Sequence, residues 1–271
     1  MFDAAMDVLP VTKPMTVHKL SVAVKGRVLS AEIRIPKVTT PGLPPLVALH
    51  GISRKAKSIA DAFSIPCDAK GQILITPHFS RKQWRHFQQI GTYRPDRAIL
   101  TLLDLVQQMG FASTEQVDIF GYSGGAQLAH RFAMLYPQRV AKLHLAAAGW
   151  YCLPDLKQAF PMGLAPSTKR LRANVPALAH NQLRNYLDLK LRVYVGAEDR
   201  HRDDALRKNP EVDDVQGRHR LARARHYCDA FRIAATARGI TPDLTLTEIP
   251  NCVHSFSDCA RAGLTTLVCN S

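Results

Sequence analysis

The stretch VDIFGYSGGAQLAHRFAMLYP, residues 117–137, decides the fold that we expect for this chain. Residues 117–120 form a short apolar run, which is typical of a strand buried on both faces. A helical pattern covers residues 125–136 and is stopped by Pro137. Between them, residues 121–125 match the pattern G-x-S-x-G, in which a serine stands on a sharp strand-to-helix turn with its hydroxyl clear of the sheet. The pattern therefore predicts a nucleophilic serine at the edge of a sheet.

The alternation of strand and helix extends along most of the chain. Further short apolar runs predict buried strands at residues 46–49, 73–75, 143–147, 191–195 and 244–249. Helical patterns cover residues 95–110 and 221–239. Residues 17–24 and 28–35 alternate in polarity on either side of Lys25-Gly26, which predicts an N-terminal β-hairpin. These patterns predict an α/β fold, with a mostly parallel central sheet and helices on both faces.

The length of 271 residues favours one large domain, residues 1–271, over two small ones. Residues 150–188 interrupt the alternation with weak periodicity and four prolines: Pro154, Pro161, Pro166 and Pro176. Because connections that leave the carboxyl ends of parallel strands lie over the ligand crevice, we expect this insertion to form a short cap or lid over the predicted serine.

The balance of charge is strongly basic, with a net charge of +14. Six arginines crowd residues 218–238 beside a single acid, Asp229: Arg218, Arg220, Arg223, Arg225, Arg232 and Arg238. We interpret this segment as a solvated helix face, because the basic residues alternate with core-type residues and no nucleic-acid motif accompanies them. No specific nucleic-acid partner is therefore expected.

The location of the protein is predicted from what the sequence does not contain. No stretch approaches the ~20 apolar residues of a transmembrane helix, so no transmembrane segment is expected. Residues 1–10 do not resemble a secretory signal, which favours a cytoplasmic location. The six cysteines are interpreted as mostly buried thiols of a reducing compartment, with a local disulfide between Cys252 and Cys259 as the alternative.

A serine hydroxyl becomes a good nucleophile only when a base takes its proton, so Ser123 requires partners. In folds with this turn the acid and then the histidine follow the serine. Asp199 lies just past the predicted strand at 191–195 and is the preferred acid, with Glu198, Asp203 and Asp204 as rivals. The expected base among the eleven histidines is His254, because it follows the last predicted strand.

Acyl transfer places negative charge on the former carbonyl oxygen, which two backbone N–H groups should stabilise. Gly124 is expected to supply one, and Ile52 the other, with Ser53 as the neighbouring option. The predicted substrate contacts come from four residues: Gly51, Tyr122, Trp150 and Tyr151. For the last two, a role as core anchors under the insertion is the alternative. Arg81, Arg85 and Arg94 are candidates for holding an anionic substrate, with plain surface charge as the other interpretation.

These residues resemble those of a known superfamily. The sequence is similar to the α/β-hydrolases at Leu46–Ile52, Gly121–Gly125, Gly196–Asp199 and His254, which together span most of the chain. It resembles the serine esterases near the polyhydroxyalkanoate depolymerases and dienelactone-hydrolase-like proteins at His50–Ser53, Ser123–Gln127 and Ala147–Tyr151. Dienelactone hydrolases use a cysteine nucleophile, so the serine here implies a different ester.

The expected function is hydrolysis of a small-molecule carboxylic ester through an acyl-enzyme, by Ser123, His254 and Asp199. Neither a cofactor nor a metal is expected for this chemistry. Thioester cleavage, acyl transfer and peptide cleavage by the same residues are alternatives, as is a binding protein that kept the fold without turnover. The oligomeric state stays open, a homo-oligomer included.

Overall fold

A computed structural model describes residues 15–166 and 175–271. Eight strands form one sheet: β1 (Thr16–Val24), β2 (Arg27–Ile35), β3 (Leu46–Leu49), β4 (Leu74–His78), β5 (Val117–Tyr122), β6 (Val140–Ala146), β7 (Lys190–Gly196) and β8 (Leu244–Ile249). Their order across the sheet is β1-β2-β4-β3-β5-β6-β7-β8. The hairpin strand β2 pairs antiparallel with β1 and with β4, and the remaining pairs are parallel. This confirms the predicted α/β fold with its N-terminal hairpin.

Helices cover both faces of the sheet. They are α1 (Ala56–Lys70), α2 (Pro95–Gln108), α3 (Gly124–Leu135), α4 (Val175–Asn181), α5 (Leu183–Leu187), α6 (Pro210–Gln216), α7 (Arg220–Thr236), α8 (Phe256–Arg261) and α9 (Leu264–Asn270). Side chains of β3 alternate between the two cores, because successive strand residues point to opposite faces. Val47 and Leu49 belong to the core that α2, α3 and α7 cover, whereas Leu46 and Ala48 belong to the core that α1 and α9 cover.

Helix α1 is an element that the apolar pattern alone does not predict. Pro66 stands inside it, and proline is normally unfavourable in a helix interior. The helix forms because Ile59, Phe63 and Cys67 are buried against the sheet. Tertiary packing therefore overrides the local preference.

The insertion at residues 150–188 packs into the core in its described part. Trp150, Tyr151, Phe160 and Tyr186 are almost completely buried. Helices α4 and α5 pack beside α3. No described residue of the insertion lines the cavity around Ser123, and the cap at residues 150–188 stays a prediction. Residues 167–174 of this segment lie outside the described residues.

The arginine-rich segment is not the solvated face that we expected. The side chains of Arg220 and Arg223 are fully buried at the start of α7. Arg220 Nη1 lies 2.8 Å from Asp203, and Arg223 Nη2 lies 2.7 Å from Asp213. The interpretation fails here because acidic side chains of the preceding loop and α6 turn inward and pair with these arginines. Arg218, Arg225 and Arg232 remain exposed.

All six cysteines are buried and carry free thiols. Cys252 and Cys259 therefore do not form the alternative disulfide. Cys67 of α1 and Cys269 of α9 bring their sulfurs within 3.8 Å, which joins the two helices on one face of the sheet. No helix within residues 15–166 and 175–271 has the length and apolar character needed to cross a membrane.

Buried neutral histidines give the first testable prediction. Burial lowers the pKa of His50 to about 4, that of His144 to about 3, and that of His130 well below its usual value. The unfolded chain takes up protons near pH 6.5 at these sites, whereas the folded chain does not. Stability is therefore fully present above about pH 6.5 and falls as the pH drops toward the folded pKa values, by about 1.4 kcal/mol per pH unit for each histidine.

Guanidinium unfolding at pH 7, 6 and 5 tests this dependence. The wild type should lose stability steadily over that range. A His144→Gln variant should show a shallower slope, since it lacks one of the three buried histidines. Equal stability at pH 7 and pH 5, or the same slope in both proteins, would contradict the prediction.

Candidate active site

Ser123 stands on the turn between β5 and α3 in a strained backbone conformation. Its φ is 53° and its ψ is −111°, values that few residues other than glycine adopt. The turn is possible because the flanking glycines leave room for close backbone contact. A Cβ on Gly121 would lie 2.3 Å from the carbonyl oxygen of Gly125, and one on Gly125 would lie 2.3 Å from that of Leu49. Steric crowding therefore explains why glycine stands at both ends of the G-x-S-x-G pattern.

His254 lies between Ser123 and Asp199 and is within hydrogen-bond distance of both. Its Nε2 is 3.1 Å from Ser123 Oγ, and its Nδ1 is 2.9 Å from Asp199 Oδ2. Asp199 is almost fully buried, at 1% exposure. A carboxylate accepts hydrogen bonds, so this arrangement favours the tautomer with the proton on Nδ1, which leaves Nε2 free to accept from the serine hydroxyl. The structure thus brings the three predicted residues together in the order that proton transfer requires.

The loops that carry the acid and the histidine are joined through their main chains. Ala197 N donates to Ile249 O, and Glu198 N donates to Cys252 O. A Cβ on Gly196 would lie 2.1 Å from the same Cys252 oxygen. Backbone contact between the ends of β7 and β8 therefore sets the separation of Asp199 and His254.

Arg220 separates the preferred acid from its rival Asp203. Its guanidinium lies 3.4 Å from Asp199 Oδ1 and 2.8 Å from Asp203 Oδ2. This contact holds the pKa of Asp203 down, at about 2. Asp203 is thus a partner of the arginine, while the second oxygen of Asp199 faces the imidazole. Glu198 and Asp204 do not contact His254 among the described side-chain contacts.

The predicted oxyanion donors lie next to each other. Gly124 is the first residue of α3, and a Cβ on it would lie 3.3 Å from the backbone nitrogen of Ile52. A turn after β3 holds Ile52, closed by a hydrogen bond from Arg54 N to Gly51 O. Buried His50 stabilises this turn through both ring nitrogens. Its Nδ1 lies 2.8 Å from Gly51 O, and its Nε2 accepts from Phe79 N at 3.0 Å.

A cavity of about 330 Å³ opens over the serine, and we call it the Ser123 cavity. Two of the predicted substrate contacts, Gly51 and Tyr122, line it. The ring of Tyr122 stacks on the imidazole of His254, with centroids 5.3 Å apart. Burial raises the pKa of Tyr122, so its hydroxyl stays protonated. Tyr122 therefore holds the histidine ring as well as bordering the cavity.

Trp150 and Tyr151 are not brought to this cavity. Tyr151 is fully buried and stacks on Tyr227 with centroids 4.2 Å apart. The Trp150 ring is contacted by two guanidinium groups, those of Arg131 at 4.5 Å and Arg207 at 4.8 Å. Both aromatic residues are therefore anchored in the core, which was the alternative role for them. The chain after β6 runs beside α3, where Cys152 N donates to His130 Nε2.

Three solved structures share this architecture over almost the whole chain. Poly(aspartic acid) hydrolase-1 from Sphingomonas sp. KT-1 is 24% identical, with a TM-score of 0.79 over 94% of this chain and 99% of that chain. The poly(3-hydroxybutyrate) depolymerase LpqC from Bordetella parapertussis is also 24% identical, with a TM-score of 0.78 over 92% of this chain and 89% of that chain. The fluorophosphonate-binding serine hydrolase FphF from Staphylococcus aureus is 15% identical, with a TM-score of 0.60 over 96% of this chain and 100% of that chain.

This chain has the α/β-hydrolase fold. No protein-family model and no curated protein sequence matches it. The alternation of strands and helices and the resemblance at the motifs predicted this fold, and the structural relatives confirm it. Within that fold, Ser123, Asp199 and His254 stand on the turns and loops that follow β5, β7 and β8.

Two residues with contacts to the site were not predicted. His50 was given no role in the site, yet it supports the turn that carries Ile52. Arg220 was assigned to a surface, yet it touches Asp199. The apolar run at residues 46–49 indicates that the adjacent His50 is buried. No local pattern indicates the ion pair between Asp199 and Arg220, which lie 21 positions apart in the sequence.

The close backbone contact at Gly125 gives the second testable prediction. Gly125→Ala should lower the free energy of unfolding by about 1–3 kcal/mol, because the new methyl group would collide with the backbone of β3. Gly91→Ala is the matched control, since a Cβ there meets nothing within 4 Å. Denaturant unfolding of both variants measures the difference. If the two variants are equally stable, the crowding at the turn has been overestimated.

Proposed function

We propose that the protein is a serine hydrolase that cleaves a carboxylic ester through an acyl-enzyme. The observation that carries this proposal is the continuous chain of contacts from Ser123 Oγ through both imidazole nitrogens of His254 to Asp199. This arrangement of nucleophile, base and orienting carboxylate is what acyl transfer requires.

The proposed reaction has two halves. In the first, His254 takes the proton of Ser123 as Oγ attacks the ester carbonyl, and it then gives that proton to the leaving alcohol. In the second, His254 takes a proton from water as the water oxygen attacks the acyl-enzyme, and it then gives that proton to Ser123 Oγ as the bond to the acyl group breaks and the acid leaves. Asp199 holds the imidazole in the tautomer that accepts at Nε2 and stabilises the imidazolium between the steps. No cofactor takes part in the proposed reaction.

The backbone N–H groups of Gly124 and Ile52 are proposed to stabilise the oxyanion. Their adjacency supports this role, as does the position of Gly124 at the start of a helix, where partial positive charge favours an anion. Gly51 and Tyr122 are proposed to contact the substrate, because both line the Ser123 cavity.

The structural relatives support a hydrolytic reaction for this chain, but their names differ in the substrate. One is named as a depolymerase of poly(3-hydroxybutyrate), one as a hydrolase of poly(aspartic acid), and one as a serine hydrolase that binds fluorophosphonates. Two of these names are names of hydrolases, and the third is that of an enzyme that breaks down a polyester. Thioester cleavage, acyl transfer or peptide cleavage would use the same three residues and differ in the leaving group or acceptor.

Covalent labelling tests the nucleophile. A fluorophosphonate probe should add one label per chain, on the peptide that contains Ser123, because an activated serine attacks phosphorus as it attacks a carbonyl. Mass spectrometry of the intact and digested protein gives the count and the position. Ser123→Ala is the control and should remain unlabelled. An unlabelled wild type, or a labelled Ser123→Ala variant, would refute the assignment and favour a binding protein.

Two asparagine variants test the acid. Asp199→Asn should reduce kcat for a p-nitrophenyl ester by about four orders of magnitude, since an amide favours the wrong imidazole tautomer. Asp203→Asn is the matched control, with the same change of charge beside the same arginine, and should retain most activity. Circular dichroism and thermal unfolding establish that both variants fold. If Asp203→Asn loses activity and Asp199→Asn does not, the acid has been assigned to the wrong residue.

A further inference from the structure

Residues 52–58, which form the loop after β3 and the first turn of α1, border two further cavities besides the Ser123 cavity. The arginine cavity, of about 330 Å³, is lined by Ile52, Arg54, Arg81, Arg85, His86 and Gln88. The hairpin cavity, of about 570 Å³, lies between the β-hairpin and the start of α1. Ile52 lines both the Ser123 cavity and the arginine cavity, and Lys55 lines both the Ser123 cavity and the hairpin cavity. The proposed oxyanion donor thus stands at the boundary between the serine and the arginine cavity.

The charge around this loop is almost entirely positive. Six basic side chains line the three cavities: Lys19, Arg54, Lys55, Lys57, Arg81 and Arg85. Among the described lining residues the single carboxylate is Glu32, and it is paired with Arg34. Lys57 is paired with Asp61 at 2.8 Å. The other five basic side chains have no carboxylate within 4.0 Å in the described part of the chain.

Arg54 is held in place without a counter-ion. Its guanidinium donates to the backbone oxygens of Phe79 and Trp84 and lies 4.9 Å from the ring centroid of Phe87. Its buried Nε has no hydrogen-bond partner in the described part of the chain. Burial and the neighbouring Arg81 lower the pKa of Arg54, which indicates that the local positive charge is not compensated. A cation in this state is stabilised when an anion binds beside it.

The third arginine that was a candidate for holding an anion has a different role. Arg94 is buried and forms a paired contact with Asp96, with Nε–Oδ1 at 2.9 Å, and it also contacts Tyr136. Arg81 and Arg85, in contrast, are exposed, and their side chains form no hydrogen bond or ion pair within residues 15–166 and 175–271. They are therefore available to a ligand.

We propose that the substrate is an anionic ester whose carboxylate binds in the arginine cavity, beside Ile52, and is selected by Arg81 and Arg85. Lys55 adds positive charge on the wall of the Ser123 cavity itself. A guanidinium pairs with a carboxylate through two parallel hydrogen bonds, which suits two exposed arginines that line the same cavity. This substrate class rests on the proposed hydrolase function and deepens it.

A matched pair of esters tests the proposal on the intact protein. The anionic member is the mono-p-nitrophenyl ester of adipic acid, and the neutral member is the same compound with its free carboxyl group converted to a methyl ester. The wild type should prefer the anionic ester by about 10–100-fold in kcat/KM, as expected for hydrogen bonds to a charged group. The preference should shrink as sodium chloride rises from 0.05 to 0.5 M, because salt screens exposed charges.

Two double variants identify the residues responsible. Arg81→Gln/Arg85→Gln should lower the ratio of the two kcat/KM values at least five-fold, mainly through KM for the anionic ester. Arg97→Gln/Arg232→Gln removes the same charge from exposed positions outside all three cavities and should keep the wild-type ratio. Labelling of Ser123 by the fluorophosphonate probe establishes that each variant is folded and active.

The outcomes separate the two proposals. A labelled enzyme that hydrolyses both esters with equal kcat/KM overturns the anionic substrate and leaves the hydrolase function standing. An anionic preference that both double variants reduce equally shows an effect of net charge and overturns the assignment to Arg81 and Arg85. An enzyme that is neither labelled nor active on either ester overturns the hydrolase function and, with it, the substrate class.

Discussion

Close contact between the backbones of β3, β5 and α3 sets the position of the groups around Ser123. Gly121 and Gly125 leave no space for a side chain, since a Cβ at either would come within 2.3 Å of a backbone oxygen. The strained φ of 53° at Ser123 is maintained by this packing and by the hydrogen bond from its N–H to Ala146 O. The same contact places the first N–H of α3 beside Ile52. Ser123 and the proposed oxyanion donors are therefore positioned by main-chain contacts, and His50 supports them from the core.

Charge is arranged in two different ways on the two sides of the serine. On the side of Asp199, buried Arg220 is matched by two carboxylates, and the acid is held in one orientation. On the side of Ile52, Arg54 and Arg81 line one cavity, and neither has a carboxylate within 4.0 Å in the described part of the chain. Because an uncompensated cation is stabilised by an incoming anion, whereas a compensated one is not, the first side suits positioning and the second suits binding. Part of the excess of basic residues in the sequence is therefore concentrated around residues 52–58.

The sequence predicted the central fold well because its strands are buried on both faces and read as continuous apolar runs. The placement of Ser123 and His254 beyond the ends of strands was predictable for the same reason, since each lies a few residues after such a run. The helix containing Pro66 was not, because its stability comes from contacts with distant strands. Arg220 was misread as a surface residue because ion pairs across loops leave no periodic signal. Tyr151 stands after a strand at the expected edge, but the direction in which the chain turns there depends on packing against Tyr227.

The hydrogen-bonded ends of β7 and β8 affect which substitutions the chain can accept during evolution. The two loops are held together by hydrogen bonds between backbone atoms, from Ala197 to Ile249 and from Glu198 to Cys252. Side chains along both loops can therefore be exchanged without moving Asp199 relative to His254, provided that position 196 keeps a glycine. Divergence can erase most of the recognisable sequence while the arrangement of acid and base persists. This is consistent with structural relatives that share the architecture at only 24% identity.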